Sequence, residues 1–473
     1  MNFAWELFVD LGIIGLALAF ATLLRARIGF FQSLLIPNAI IAGLLLLPFY
    51  NWVAPLLGIG RGGLENLVFH LLNLTFIAIA LRPSPPRRRS RAVLGTATVI
   101  ISQFALQGLL GLGLTFLFIV VPILPALFPS YGFLVTLGYV LGPGQAFSIG
   151  LSWQPLGFAD AASLGLIFGS IGFLVACFGG LWLINLGMRR GYLKLGADEI
   201  RARRSDSGLL ARGDRRPAGL RQTTRSEAID TLSLMLAAVF GVYLVTYLLL
   251  RGLTGLLMPI GGAVAQIAEG LWGIAFVFGL LVALLVKAVL RRAKWDHLLE
   301  ERGLTRISGG AVDFMVAAAL GAISLSVVRT NWLPIVVFAL LMAALAALTI
   351  MWLGSRLFAG DFAFERVVLF WGTLTGTLST GLALLRAVDP EFKTPAASDY
   401  LYASALAFFL VLPLILVSGF PALAHANGNR SLYLVTVVVL LLYVVLVAAA
   451  HALLCRRAGR RAFADITRPW ASS

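Results

Sequence analysis

Apolar runs long enough to cross a bilayer recur from one end of this chain to the other. About twenty apolar residues span the hydrocarbon as a helix, and the backbone there must satisfy its own polar groups. Helices or a closed barrel are the only solutions. Barrel strands would alternate apolar and polar residues, and these runs do not. The 473 residues are 60% hydrophobic and 12% charged, with mean hydropathy +0.94. A soluble domain would carry about twice that charged fraction. The expected fold class is an all-α polytopic membrane protein.

The formal charge is +16, but the basic residues fall in short clusters between apolar runs, as the positive-inside rule expects. No basic folded domain is left over for nucleic acid. Cys177 and Cys455 lie in or beside apolar runs and make neither a CxxC pair nor a disulfide framework. Ala19-Phe20-Ala21 mimics a signal-peptide cleavage site, yet Glu6 and Asp10 precede it without a basic stretch. Phe8–Leu24 is therefore expected to stay as a first span.

The other expected spans are Pro37–Val53, Leu64–Leu81, Ala92–Val120, Ala159–Leu186, Ala228–Leu250, Leu271–Leu290, Ala311–Val328, Leu333–Leu357, Tyr400–Ser418 and Leu432–Leu454. Two further apolar segments, Gly132–Trp153 and Val367–Leu385, are interrupted by Gly, Pro, Thr and Ser. Basic clusters follow the first span (Arg25, Arg27), the third (Arg87, Arg88, Arg89, Arg91) and the fifth (Arg189, Arg190, Lys194). Two more follow the seventh (Arg291, Arg292, Lys294) and the last (Arg456, Arg457, Arg460, Arg461). If each interrupted segment returns to the side it entered, all five clusters share one face. Full crossings would move two clusters outside. Both segments are thus expected to be re-entrant hairpins, in a cell (inner) membrane, with the N-terminus outside and the C-terminus cytoplasmic.

Residues 1–187 give four spans, an interrupted segment at about 132–153 and one more span. Residues 228–418 give the same order, with the interruption at about 367–385. Each half crosses an odd number of times, so the second is inverted relative to the first. That is the inverted-topology repeat of secondary transporters, about five spans plus one re-entrant hairpin per half. Ser148-Ile149-Gly150-Leu151 and Ser379-Thr380-Gly381-Leu382 occupy matching places. Residues 188–227, Arg-rich and punctuated by Gly208, Gly213 and Pro217, read as a cytoplasmic linker. Residues 431–455 add one C-terminal span, and 456–473 form a cytoplasmic tail.

A backbone broken at membrane depth must be buried in protein or line a watery cavity. There, half-helix N-termini present N–H groups to an anion. Unwound carbonyls and hydroxyls suit sodium. The first interruption offers Gly142, Gly144, Gln145, Ser148 and Ser152; the second offers Thr373, Thr375, Thr377, Ser379 and Thr380. Ser148, Ser379 and Thr377 are the expected sodium ligands. The competing explanation is back-bonding of Ser and Thr to their own helices. Asp160 and Asp399, each near the start of the helix after a hairpin, read as N-caps or as a cation site. Asn73 and Thr75 lie inside the third span with His70, as interhelical bonders or ligands. Asp313, one turn into the eighth expected span, needs no function beside a helix N-terminus. A proton-coupled carrier would want a buried carboxylate or histidine as a relay, and none sits clearly mid-span, which favours sodium over protons as coupling ion. No organic cofactor is expected.

"IPNAIIAGLLL" (Ile36–Leu46), "LTFIAIAL" (Leu74–Leu81) and "GPGQAFSIGLSW" (Gly142–Trp153) with its following helix resemble the sodium/glutamate symporter family. The resemblance covers both halves and leaves the last span extra. It implies five spans and a hairpin per repeat, a homodimer, and a transport domain that moves against a scaffold. Family members that carry glutamate have Gly-Gly-His-Gly-Thr near the first tip. Here the run is Gly142-Pro143-Gly144-Gln145-Ala146, so glutamate stands as the leading candidate among small organic anions.

Three function classes follow. The first is sodium-coupled symport of glutamate or a similar anion by elevator-like alternating access. The second is a carrier of the same fold with another substrate, coupling ion or export direction. The third, a membrane-embedded enzyme, needs a converging His, carboxylate or Ser/Lys set. The four histidines do not supply one, and no enzyme activity is expected. Gly58–Gly63 satisfies GxGxxG only literally, because no strand precedes it.

Overall fold

The computed structural model describes residues 5–34, 36–83, 90–121, 123–124, 126–192, 222–224, 228–389, 394–460, 462–463 and 470. Most of the linker, with Lys194, lies outside the described residues. So do Arg87, Arg88, Arg89, Arg461 and most of the tail.

Among the described residues the chain is all-helical, and eleven helices are long and apolar enough to cross a membrane. In chain order they open with α1 (Glu6–Arg27), α2 (Asn38–Leu57), α3 (Gly62–Leu81) and α4 (Arg91–Val120). The shorter α5 (Tyr131–Leu141) and α6 (Pro143–Trp153) precede α7 (Ala161–Arg189). Next come α8 (Thr231–Leu257), α9 (Val264–Arg292), α10 (Glu301–Gly321) and α11 (Trp332–Leu357). The short pair α12 (Ala363–Leu374) and α13 (Leu378–Val388) then precedes α14 (Ala396–Ser418) and α15 (Ser431–Arg456).

Local chemistry sets several of these starts. The Ser90 hydroxyl accepts the Val93 N–H at 3.1 Å and opens α4, and the Asp230 carboxylate accepts the Ser233 N–H at 2.7 Å and opens α8. Pro143 occupies the first position of α6, where its missing N–H costs nothing. Small residues allow the close crossings. A Cβ on Gly43 would strike Leu320, and one on Gly321 would meet Leu46 and Leu64 at 3.0 Å.

The packing partners recur in the two halves. Helix α1 packs on α2 as α8 packs on α9, and α2 packs on α10 as α3 packs on α9. Helices α3 and α10 cross each other, as do α4 and α11. Helix α4 also carries α14 and α15.

The eighth span departs from expectation. Its helix begins at Glu301 rather than Ala311 and ends at Gly321. The first ten residues carry Glu301, Arg302, Thr305, Arg306 and Ser308, which hide a helix from an apolar scan. Arg302, Thr305, Arg306, Gly309, Gly310 and Asp313 are exposed, and their spacing puts them on one helix face. From Met315 to Gly321 every residue is buried. A lipid-facing stripe would run the full length and be apolar; this one is polar and stops halfway.

Candidate functional site

Two broken helices meet halfway along α7, whose glycines let other backbones touch it. Gly150 of α6 lies on Ala161, Ala146 lies on Gly165, and Pro143 lies on Gly169. Helix α6 therefore runs antiparallel to α7 and begins near its middle. Helix α5 runs in beside it: the Tyr131 ring contacts that of Phe168 at 5.7 Å, and Tyr139 reaches Gly172. Phe128, just before α5, stacks on Phe158 at 4.4 Å, and the Phe158 N–H donates to Trp153 at 3.2 Å. Entrance and exit of this segment thus lie together at the Ala161 end of α7.

The second segment uses the other end. Phe364 lies on Gly187, Trp371 on Gly179 and Leu384 on Gly180, and the Thr375 carbonyl reaches Gly172. The Trp371 indole N–H donates to the Ala176 carbonyl at 3.2 Å. Helices α12 and α13 fold back on each other, with Gly372 against Gly381.

The two breaks touch. Gly142 has φ +104°, a conformation that L side chains rarely adopt. A Cβ there would stand 3.6 Å from Thr377 Cγ2 and 3.9 Å from the Gly376 carbonyl oxygen. Helices α6 and α13 both start at this junction, so two helix N-termini face each other. First-turn amides have no partner within their own helix. Gly144 and Gln145 supply them from one side, and Leu378, Ser379 and Thr380 from the other. The Thr377 and Thr380 hydroxyls lie 3.3 Å apart. The α5 and α12 ends bring their last carbonyls to the same place. Amide donors and carbonyl acceptors together can hold an anion and a hard cation side by side.

Helices α3 and α10 close the junction laterally. A Cβ on Gly144 would stand 2.8 Å from Met315 Sδ and 3.0 Å from Leu72 Cδ1. Asn73, beside Leu72, donates to Phe69 at 2.8 Å, while its Oδ1 is buried without a hydrogen-bond partner. Asp313, two residues before Met315, is the thirteenth residue of the 21-residue α10. It stands mid-helix at the inner end of the exposed polar stripe, not one turn in as the sequence suggested. Its signal was the spacing of polar residues from Arg302 onward, which a hydropathy scan discards.

The structure thus brings Gly142, Gly144, Gln145, Thr377 and Thr380 together, with Thr375 and Asn73 at the margin. It separates the others. Ser148 lies about a turn and a half from the tip and donates to the Gly273 carbonyl at 2.7 Å. Gly273 sits in the 3₁₀ turn Leu271–Ile274 of α9, so the hydroxyl ties α6 to that turn. Ser152 faces the same turn and bonds to Ile149. Thr373, Thr375 and Thr75 bond back to Leu369, Trp371 and Leu71. Ser379 belongs to the first turn of α13, with its side chain outside the description.

Both aspartates correct the capping expectation. Asp160 is exposed before α7 and makes no side-chain cap bond. Asp399 is buried one turn into α14, and the Arg366 guanidinium donates to it at 2.8 Å. Arg366 is only 1% exposed, also pairs with Asp361 at 3.3 Å, and lies 4.8 Å over the Phe358 ring. This pair ties the base of α12 to α14 and gives Asp399 a cationic partner within the protein.

A scan against protein-family models, a search of curated proteins and a search of solved structures each return no match to this chain.

Proposed function

We propose that the chain is a secondary active transporter that carries a small organic anion by alternating access, coupled to sodium. The carrying observation is the junction itself, where the N-termini of α6 and α13 face each other beside Gly142 and Thr377. Under this reading the two broken segments are re-entrant hairpins entering from opposite faces. The recurring packing of the halves supports an inverted repeat around that junction. Glutamate remains the leading substrate, on the family resemblance alone. The resemblance also supplies the homodimer and the elevator-like motion.

The exposed stripe of α10 serves as an aqueous path from the basic, cytoplasmic face to mid-membrane. Asp313 at its end is the carboxylate that draws the coupling cation along this path towards the junction, where Ser148, Ser379 and Thr377 were the ligands expected from the sequence. Of the two whose side chains are described, Ser148 and Thr377, Thr377 is the one that lies at the junction. The test is uptake of labelled glutamate into proteoliposomes under an inward sodium gradient, with a proton-gradient arm. Sodium-dependent uptake supports the whole reading. Uptake driven only by protons moves Asp313 to a proton relay. Absence of uptake together with absence of stabilisation by sodium and by small carboxylates defeats it.

A further inference from the structure

The extra helix α15 packs on α4, with Leu440 against Gly108 in its first half and Leu454 and Cys455 buried in one cluster with Val93 and Ala97 near its end. A cavity of about 470 Å³ opens between α4, α11 and α15. That volume is within the ~300–1,000 Å³ of ordinary ligand sites. Leu106, Leu348, Leu353, Val444, Val447 and Ala448 make its walls almost wholly apolar, and His451 and Trp352 stand at its basic end. Leu348 is 59% exposed, so the cavity opens sideways where a membrane-spanning chain meets lipid.

One helical turn further along α11, about 5 Å, lies a second cavity of about 150 Å³. Arg91 and Arg460 line it, with Asp361 and the backbone from Leu357 to Ala359. Arg460 donates to the carbonyls of Arg356 and Ala359, and Arg91 donates to Leu357. These bonds cap the end of α11, but a guanidinium carries five donors. Two cations remain gathered at one point, with exposed Arg456 and Arg457 nearby in sequence.

We infer that this paired cavity is a binding site for an anionic phospholipid, with one acyl chain in the apolar groove and the phosphate between Arg91 and Arg460. An apolar slot that opens to the bilayer, with cations a headgroup's length away on the basic face, fits that chemistry. A zwitterionic lipid has the chain but no net charge to match. A free phosphate ester has the charge but nothing to fill the groove.

Native mass spectrometry of the full chain in neutral detergent tests this, with phosphatidylglycerol, phosphatidylcholine of the same chains, and glycerol phosphate added separately. The expected result is retained phosphatidylglycerol and little of the other two. Arg91→Gln with Arg460→Gln should weaken retention roughly tenfold to thirtyfold. That pair also removes helix caps, so Ala448→Phe is the second variant. It plugs the groove, leaves both arginines in place, and should abolish retention in a protein that still elutes as one species. Equal retention of both lipids, equal retention of glycerol phosphate, or unchanged retention in Ala448→Phe would each overturn the assignment.

Discussion

Asp399→Asn separates two readings of the same carboxylate. Asp399 and Arg366 are 5% and 1% exposed as side chains, and their nearest atoms are 2.8 Å apart. Removing one partner of such a pair leaves the other charge desolvated, at a cost of about 3–5 kcal/mol. Asp361 remains beside Arg366 at 3.3 Å and is 49% exposed, so Asn should fall at the lower end. Arg366→Met removes the cation that pairs with Asp399 among the described residues and should fall at the upper end. For a chain this long, extrapolating the size scaling gives roughly 1–2 °C per kcal/mol, hence a drop of about 3–10 °C in apparent Tm. The double variant Arg366→Met with Asp399→Leu should recover much of the loss, because well-packed apolar residues replace buried pairs at little cost. The assay is thermal unfolding in detergent, with and without sodium, for all three. If Asp399→Asn keeps its Tm but loses stabilisation by sodium, the carboxylate is a cation ligand and the ion-pair argument is wrong.

Other outcomes follow from the same geometry. Gly142→Ala meets no clash but must adopt a glycine-only backbone, costing about 1–3 kcal/mol; unchanged uptake and Tm would show that the tip rearranges freely. Asp313→Asn should abolish the cation dependence of uptake, and a thiol-labelling scan should find Asp313→Cys reactive from the basic face only. Ser148→Ala removes the bond to Gly273 and should cost about 1 kcal/mol with the KM for sodium unaltered; a raised sodium KM would return Ser148 to the site. The Asp230 carboxyl is held below its ordinary value by the Ser233 N–H. Its cap therefore stabilises α8 above the ordinary aspartate range and is lost as pH falls through the lowered value. Asp230→Asn should flatten that part of the acid-unfolding curve.

The spans were legible because hydrophobic length is additive and local. The break at Gly142 was legible because Gly and Pro lack what a helix needs, whereas the second was placed only within Val367–Leu385. Which hydroxyls reach the junction was not. Ser148 and Thr377 look alike in sequence, and only the approach of α9 to α6 decides that Ser148 is consumed by Gly273. Asp399 was misread for a similar reason. Its partner Arg366 is 33 residues away and enters from the base of α12. Asp313 was misplaced because α10 is polar on one face for half its length, which an apolar window cannot count as helix.

The junction also constrains what can bind there. Two helix N-termini facing each other place about half a positive charge on each side of one small volume. Left empty or filled by sodium alone, that arrangement is unfavourable in a low dielectric. The carbonyl ends of α5 and α12 supply the opposite sign close by. An anion on the amides would therefore raise the affinity of the carbonyls for a cation, and the cation would do the same for the anion. Linkage makes the two factors equal. Under the proposed function coupling then needs no separate transmission device, because the two solutes would share one electrostatic site. The quantity to measure is sodium affinity with and without saturating anion, set against anion affinity with and without saturating sodium. Equal factors well above one are the signature of a shared site; factors of one would place the two solutes apart, and the junction would not be the coupling centre.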